Sequence, residues 1–345
     1  MRFIIALSCV LLLAETSFAQ VVQLSPKRLP IPSQVSWRFS AETTEKANHD
    51  PEKAQFVTSD IDNFWRAYDL AAKETTTQKK QEIYQREYLD KGSPGLKDFI
   101  ILRIKNVESL VQTIEKHPRY YASIRQQTLK IATLSNEIRK SYRKLKALYA
   151  DAIFPDVYFV IGKLSSGGTT SQNGLLIGAE MYGLTKETPM AELDGWLKQV
   201  LKSTDTIPAI VAHESVHIQQ NYLANTSTLL AQSIKEGAAD FIGQMMAGEM
   251  INQHLHDYGN QKERQLWEEF KPVMNEKSYA GWLYDGASAK DRPADLGYYI
   301  GYKICDSYYR KAKDKAQAIK DILSIKDFEQ FLKDSQYEAK FTNGL

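Results

Sequence analysis

The sequence predicts a mainly helical protein of the α+β class, with an N-terminal helical half and a small central β-sheet. Apolar side chains recur at helical spacing from about residue 59, and the first such face includes Ile61, Phe64 and Trp65. Two short runs of β-forming residues, 157–162 and 174–179, interrupt that spacing. The two runs predict either a hairpin or two neighbouring strands, and the Ser- and Gly-rich residues 165–171 between them predict a flexible loop. Helical spacing then resumes.

The other elements are predicted from apolar spacing and from proline and glycine breaks. Residues 20–55 are polar and contain four prolines, which predicts an extended arm. The helices expected in the region 56–152 are 77–90, 94–116, 118–129 and 130–151. Those expected in the region 153–345 are 189–203, 206–224, 227–248, 260–271, 294–313, 315–323 and 326–333. We expect these two regions to form one compact unit.

Composition and charge narrow the class of protein. The 345 residues are 43% hydrophobic and 25% charged, which is ordinary for a soluble globular protein that buries a core. The formal net charge is only +2, and no basic stripe runs along any segment. We therefore expect no nucleic-acid partner. The sequence does not indicate an oligomeric state.

The first residues have the features of a secretory signal peptide. Arg2 precedes an apolar run, 3–14, and Ser17 and Ala19 are the small residues that signal peptidase reads. We predict cleavage after Ala19 and a periplasmic or secreted protein. Cys9 lies in a poor match to a lipoprotein box, so we expect no lipid anchor. No later apolar run is long enough to span a membrane.

Cysteine content limits the kinds of metal site that are possible. After removal of residues 1–19 only Cys305 remains, so neither an intramolecular disulfide nor a multi-cysteine zinc site can form. Cys305 lies in an apolar helical pattern and is expected to be a buried thiol. Any metal must be held mainly by histidine and carboxylate groups.

The segment His213-Glu214-Ser-Val-His217 carries the spacing that indicates chemistry. Residues four apart share one face of a helix, so His213 and His217 can present two imidazoles to one ion. Glu214 lies beside them and can reach a water molecule on that ion as a general base. This arrangement predicts a site for one Zn²⁺ ion.

A catalytic zinc ion takes three protein ligands, and Glu236 is the candidate for the third. The eighteen residues between His217 and Glu236 are enough to finish one helix, turn and return antiparallel. Asp240 follows four residues later on the same face and could accept an imidazole N–H. Two alternatives stay open. The histidines could be satisfied polar groups with Glu236 on the surface, or the site could bind metal without catalysis.

These residues also carry a resemblance to known families. His213-Glu-x-x-His217 followed after eighteen residues by Glu236-Gly-Ala-Ala-Asp240 resembles the gluzincin peptidases, which include thermolysin and the aminopeptidase N group, over about 150–250. Residues 91–100, 236–240 and 292–302 resemble an uncharacterised bacterial family described as zinc-dependent proteases and related to a gliding-motility lipoprotein. That second resemblance covers about 60–315. This sequence differs from the lipoprotein in one respect, since it has no clear counterpart of the cysteine that anchors the lipoprotein to the membrane.

The resemblance implies a gluzincin-like fold with His213, His217 and Glu236 as zinc ligands, Glu214 as base and Asp240 as their support. Glu214 would take a proton from the water that attacks a carbonyl carbon and pass it to the leaving amine. The oxyanion needs a further donor. The candidates are Arg292, Tyr298, Tyr299 and Tyr302, of which Tyr298 and Tyr299 are favoured. Alternatively this aromatic stripe packs between helices, with Gly297 and Gly301 allowing close approach.

Zinc peptidases commonly bind a peptide substrate along a sheet edge. The candidate edge strand holds Leu175, Ile177, Gly178 and Glu180. Glu180 could recognise a substrate amine, or it could be a surface carboxylate. The remaining histidines, His49, His117, His254 and His256, are expected on the surface.

Three functional hypotheses follow from these features. The first is an exported zinc metallopeptidase acting on a peptide or protein. The second is a non-catalytic, metal-stabilised envelope or binding protein, for which Glu214 would not be needed. The third is a hydrolase of a non-peptide amide or ester.

Overall fold

The part of the chain that this computed structural model describes, residues 47–342 apart from 224, 287, 288 and 290, is mainly helical. All of these residues belong to one compact unit, Gln34–Leu345. The predicted signal peptide, residues 1–19, and the predicted arm up to residue 46 lie outside the described residues.

Short helices make up the N-terminal region. They are α1 (Ser59–Ala71), α2 (Thr77–Tyr84), α3 (Pro94–Phe99), α4 (Val107–Lys116), α5 (Pro118–Ser123), α6 (Arg125–Lys130) and α7 (Ser135–Leu148). Two π-helical turns, Gln85–Leu89 and Ile100–Ile104, continue α2 and α3. The predicted helix 94–116 is therefore broken. Lys105 has a φ of 78°, and the Asn106 side chain caps α4 by accepting the Ser109 N–H.

Four strands form a mixed sheet in the order β1-β2-β4-β3. They are β1 (Phe56–Val57), β2 (Val157–Val160), β3 (Gly168–Ser171) and β4 (Gly174–Gly178). The two predicted runs are neighbouring strands, β2 and β4, and they pair parallel rather than as a hairpin. β3 instead pairs antiparallel with β4. The sequence predicts a loop at these residues, and that prediction is wrong.

Longer helices follow the sheet. They are α8 (Gly195–Val200), α9 (Ile207–Gln219), α10 (Leu229–Ala247), α11 (Gln253–Phe270), α12 (Leu296–Lys311), α13 (Lys315–Leu323), α14 (Phe328–Ser335) and α15 (Ala339–Thr342). The predicted helices 206–224 and 227–248 correspond to α9 and α10. Most of the predicted helix 189–203 is irregular, and only α8 and a short 3₁₀ turn, Met190–Glu192, are regular there.

Glycines let α10 approach its two neighbouring helices closely. A Cβ atom on Gly301 of α12 would lie 1.7 Å from the Ser233 carbonyl oxygen, and one on Gly237 would lie 2.1 Å from the Tyr302 nitrogen. On the other side of α10, a Cβ on Gly243 would lie 3.2 Å from the His213 Cα. The helices therefore pack backbone to backbone, which fixes the position of α10 between α9 and α12.

The buried apolar side chains of the helices and the sheet form one continuous core. Cys305 lies in that core as a fully buried free thiol, which confirms the expectation from the sequence. In the described part of the chain, no helix combines the length and the apolar character that crossing a membrane requires.

Candidate metal centre

Three side chains from α9 and α10 converge on one point. His213 and His217 project from the same face of α9, and their Nε2 atoms are 3.1 Å apart. Glu236 reaches the same point from α10, with its Oε2 atom 3.3 Å from His217 Nε2 and 3.7 Å from His213 Nε2. The structure thus brings together the three residues that the sequence nominated as metal ligands.

The separations can be tested against the size of a zinc ion. Zinc bonds of roughly 2.0–2.2 Å in a tetrahedron place neighbouring ligand atoms about 3.3–3.5 Å apart. The observed separations of 3.1, 3.3 and 3.7 Å lie around that value. Two imidazoles and one carboxylate are also a usual donor set for catalytic zinc. The donors therefore fit one ion of this size, with the fourth tetrahedral position left for water or substrate.

Neighbouring side chains fix the tautomer of each histidine. His213 Nδ1 donates to Asp240 Oδ1 over 2.7 Å, and His217 Nδ1 donates to Gln220 Oε1 over 2.8 Å. Because each imidazole has its proton on Nδ1 when it is neutral, both Nε2 atoms keep a lone pair for a metal. Asp240 stands where the sequence predicted it, and Gln220 was not predicted.

These supporting groups are held in turn. Gln220 Nε2 donates to the Lys235 carbonyl over 2.7 Å, so its oxygen must face His217. Asn252 Nδ2 donates to Asp240 Oδ2 over 2.8 Å. Gln220 follows His217 by three residues, a spacing that places two side chains on the same face of a helix. Asn252 lies beyond the end of α10, and no sequence pattern points to it.

The cluster carries strong internal electrostatic interactions. Burial alone would lower the pKa of His213, but the Asp240 and Glu236 carboxylates raise it to about 10. Burial would likewise raise the pKa of Glu236, but the two imidazoles hold it well below its usual range. With neutral histidines, the three carboxylates of Glu214, Glu236 and Asp240 give the pocket a negative charge that favours a cation.

Glu214 lies next to the cluster, between α9 and the edge of the sheet. A Cβ atom on Gly168 of β3 would be only 2.8 Å from Glu214 Oε1, so the carboxylate touches the strand backbone. Its other oxygen, Oε2, is buried and has no hydrogen-bond partner among the residues that the structure describes. Burying a carboxylate oxygen that receives no hydrogen bond costs free energy of folding. Such an oxygen is found where a carboxylate acts as a base and must be free to accept a proton.

The predicted tyrosines have different surroundings. Tyr298 stacks on His213, with ring centroids 6.3 Å apart and an interplanar angle of 20°. The prediction that Tyr299 stabilises the oxyanion is wrong. Tyr299 is fully buried on another face of α12, and its hydroxyl is 3.2 Å from Asn260 Oδ1. Consecutive helical residues are rotated by about 100°, so both could not face the site.

The other oxyanion candidates also lie away from the cluster. The Tyr302 hydroxyl donates to Gln244, and Arg292 pairs with Glu269 over 2.6 Å. Sequence reasoning missed Tyr284, whose hydroxyl lies 3.2 Å from Glu236 Oε1. It has a φ of 64° in the segment before α12, and no spacing in the sequence links it to Glu236.

Most of the chain matches a known protein family. Residues 44–339 match the model of a family described as Gliding motility protein GldB. The chain belongs to the GldB lipoprotein family. No curated protein and no solved structure matches it significantly. The match confirms the predicted relation to a gliding-motility lipoprotein, and it says nothing of a protease.

In this GldB-family chain the predicted substrate strand is wrong. β4 holds Leu175, Ile177 and Gly178, but it lies between β2 and β3 and therefore has no free edge. β3 is at the end of the sheet formed by the described residues. The continuous apolar run of β4, Gly-Leu-Leu-Ile-Gly, is typical of a central strand that is buried on both faces.

The sequence predicts that Glu180 either recognises a substrate amine or lies on the surface. Both predictions are wrong, because this carboxylate is completely buried. Glu180 Oε2 accepts the Gly162 N–H over 2.8 Å, and Oε1 accepts the Leu164 N–H over 3.2 Å. Burial raises the pKa of Glu180 to about 7, although these hydrogen bonds act in the opposite direction. Glu180 therefore anchors the segment between β2 and β3.

The remaining histidines lie outside the metal cluster. His49 and His254 are exposed, as expected, but His117 and His256 are buried. The His256 ring packs against Tyr299 and Tyr302.

Proposed function

We propose that this chain is an exported zinc-dependent hydrolase, a metallopeptidase in which His213, His217 and Glu236 hold the ion and Glu214 is the general base. The observation that carries the proposal is the Glu214 carboxylate, which lies beside the cluster and has one buried oxygen without a hydrogen bond to any described residue. A zinc site that only stabilises a fold has no need of such a group. Membership in a lipoprotein family supports export.

A zinc ion bound by these donors would lower the pKa of a water molecule and polarise the carbonyl under attack. Glu214 accepts one proton of the attacking water through Oε2 as the new C–O bond forms. It then returns that proton to the nitrogen as the C–N bond breaks, so the products are a carboxylic acid and an amine. Asp240 and Gln220 accept the Nδ1–H groups of the two histidines, so the Nε2 atoms are the ones that face an ion.

Two further parts of the structure support a role in peptide cleavage. β3 presents a strand edge beside Glu214, and an extended peptide could pair with that edge. Tyr284 and Tyr298 lie at the cluster and can donate a hydrogen bond to the developing oxyanion. Tyr299 is no longer a candidate for that role.

The alternative is a non-catalytic envelope protein whose fold is stabilised by metal. The family match favours it, because the description of that family names motility and no hydrolytic activity. In that case zinc would raise the stability of the protein, and Glu214 could be replaced without loss of function.

The two proposals are separated by Glu214→Gln, which keeps the shape of the side chain and removes its basicity. We expect wild type and variant to bind about one zinc ion per chain, measured by elemental analysis. The wild type should cleave casein or a peptide library in a chelator-sensitive reaction, and the variant should be slower by at least about 100-fold. The matched control is Glu268→Gln, which changes an exposed glutamate and should leave the rate unchanged.

Each other outcome has a definite meaning. If both proteins hold zinc and neither cleaves any peptide, the metal-stabilised envelope protein is the better account. Chelator-sensitive cleavage of esters or non-peptide amides alone would keep the hydrolase and discard the peptidase. If the wild type binds no zinc, both proposals are wrong.

A further inference from the structure

Arg103 reaches the edge strand from the N-terminal helical region. It lies on the π-helical turn that continues α3, and its Nη2 atom donates to Thr169 Oγ1 of β3 over 3.0 Å. Its Nε atom is buried and has no hydrogen-bond partner within the described residues. One donor of this guanidinium is therefore used for attachment to β3, and a second lacks an acceptor.

Arg103 forms no ion pair with a carboxylate among the residues that the structure describes. Two lysines of the same part of the chain also lack a carboxylate partner within the described residues. Lys105, two residues after Arg103, donates to the Ile101 carbonyl, and Lys163, between β2 and β3, donates to Ser109 Oγ. None of these three cations has a carboxylate oxygen within 4.0 Å in the part of the chain that is described.

Partial burial affects the pKa of Arg103 and of Lys163. It lowers the pKa of Arg103, and the charge of Glu214 acts in the opposite direction. Burial and Lys105 together lower the pKa of Lys163. An arginine stays charged in proteins, so a half-buried guanidinium that forms no ion pair with any described residue would gain from binding an anion.

The position of Arg103 connects this charge with the candidate active site. Thr169, to which it is bonded, directly follows Gly168, and the Cβ position of Gly168 is 2.8 Å from Glu214 Oε1. Consecutive Cα atoms are about 3.8 Å apart, so the bond to Arg103 lies one residue along β3 from the contact with the general base. Side chains of consecutive strand residues point to opposite faces of a sheet. A peptide that pairs with the β3 edge would therefore have Glu214 on one face and Arg103 on the other.

We propose that Arg103 binds a carboxylate of the substrate beside β3. This inference rests on the proposed function, because it assigns a substrate class to the same site. The planar guanidinium matches a carboxylate in shape and donates charge-assisted hydrogen bonds. The carboxylate is either the C-terminus of a peptide or an Asp or Glu side chain.

Binding of three pools of N-acetylated hexapeptides tests this assignment. The first pool has uncharged side chains and a free C-terminal carboxylate. The second, the neutral amidated pool, has uncharged side chains and a C-terminal amide. The third has a C-terminal amide and a single Glu side chain. Equilibrium dialysis on zinc-loaded Glu214→Gln protein measures affinity without cleavage. The Glu214→Gln substitution is then combined with Arg103→Gln or with Arg103→Lys. The matched control combines it with Lys97→Gln, which removes an exposed charge from α3.

We expect one of the two carboxylate pools to bind about 10- to 100-fold more tightly than the neutral amidated pool. The pool that shows the gain identifies the source of the carboxylate. Arg103→Gln should abolish the gain, Arg103→Lys should keep part of it, and Lys97→Gln should keep all of it. Binding of the neutral amidated pool should stay the same, which also shows that the variants are folded.

Equal affinity for all three pools would overturn the assignment. So would an Arg103→Gln variant that binds every pool more weakly by the same factor, because a structural role or a general effect on Glu214 predicts that result. Turnover by the wild type is measured separately. If the wild type cleaves no pool while carboxylates still bind through Arg103, the hydrolase proposal fails and the carboxylate site stands.

Discussion

At the scale of single residues, the histidines are held by neighbours that already have partners of their own. Asp240 accepts from His213 and from Asn252, and Gln220 accepts from His217 while donating to a backbone carbonyl. Each imidazole is therefore fixed in orientation before any ion binds. Ligands that need no rearrangement lose little entropy on binding, so this support should appear in metal affinity.

Asp240→Asn should lower the affinity for zinc about 10- to 100-fold, because a neutral amide is a weaker acceptor for the His213 N–H. The affinity can be measured by competition with a chromophoric chelator. Asp257→Asn, an exposed position on α11, is the matched control and should bind zinc like the wild type. Unchanged affinity in Asp240→Asn would show that Asp240 does not support the site.

Residue spacing predicted part of this site and could not predict the rest. His213, Glu214 and His217 lie within one helical turn and a half, and Glu236 follows from the length of a helical hairpin. Local periodicity carries that information. Tyr284 and Arg103 reach the site only through tertiary packing, from 48 residues after Glu236 and from the N-terminal region. No pattern of neighbouring residues encodes such contacts.

At the scale of elements, the site depends on β3 as much as on the two helices. β3 brings Gly168 against Glu214, and the absence of a side chain there allows the contact. The sequence of β3, Gly-Thr-Thr-Ser, lacks apolar alternation and by itself predicts a loop. Pairing with β4 makes it a strand, and pairing is a long-range property that propensity does not report.

Gly168→Ala should reduce peptide hydrolysis about 10- to 100-fold and leave zinc content unchanged. Its Cβ would lie 2.8 Å from Glu214 Oε1, so the carboxylate must move away from its position beside the cluster. Because the end of a flexible side chain moves, the free energy of unfolding should change little. The measurements are the rate of peptide cleavage, zinc content and urea unfolding.

Gly195→Ala is the matched control for this change, since a Cβ there meets no atom within 4 Å. It should cleave peptides at the wild-type rate. Full activity in Gly168→Ala would mean that the contact between β3 and Glu214 has no part in catalysis.

At the scale of the whole molecule, the N-terminal helices and the sheet are joined by buried tyrosines. Tyr121 donates to the Gly162 carbonyl over 2.8 Å, and Tyr120 donates to the Glu180 carbonyl over 2.7 Å. Tyr88 donates to the Ile161 carbonyl over 2.6 Å and accepts the N–H of the same residue. These bonds hold the segment that leads from β2 to β3, and Glu180 anchors it from the other side.

The helical class and the small sheet could be predicted because apolar spacing is a local signal. The burial of Glu180 could not, because Glu180 looks like any charged residue that follows a strand. Its partners, the N–H groups of Gly162 and Leu164, belong to a turn whose shape is set by the surrounding tyrosines.

The titration of Glu180 should make the stability of the protein depend on pH. The pKa of Glu180 is about 7 in the folded protein and 4.5 without its surroundings. The folded state therefore binds the proton more tightly, and this contribution to stability is present below pH 4.5 and is lost as the pH rises through about 7. Between pH 5 and 8 the loss should be roughly 2–3 kcal/mol.

Glu180→Gln cannot titrate, so its free energy of unfolding relative to wild type should rise by roughly 2–3 kcal/mol from pH 5 to pH 8. Urea unfolding of both proteins, kept metal-free with a chelator, measures the difference. The exposed Glu187→Gln variant is the control and should show no such trend. A difference that stays constant, or changes in the opposite direction, would contradict the assignment.

The ligands of a bound ion can be identified by zinc K-edge X-ray absorption of the protein loaded with one equivalent of zinc. If His213, His217 and Glu236 hold the ion, the spectrum should show two imidazole nitrogens at about 2.0–2.1 Å and oxygen ligands at about 2.0–2.2 Å. His217→Ala should lose the scattering of one imidazole. A wild-type spectrum without imidazole scattering, or with zinc–sulfur scattering at about 2.3 Å from Cys305, would contradict the proposed metal centre.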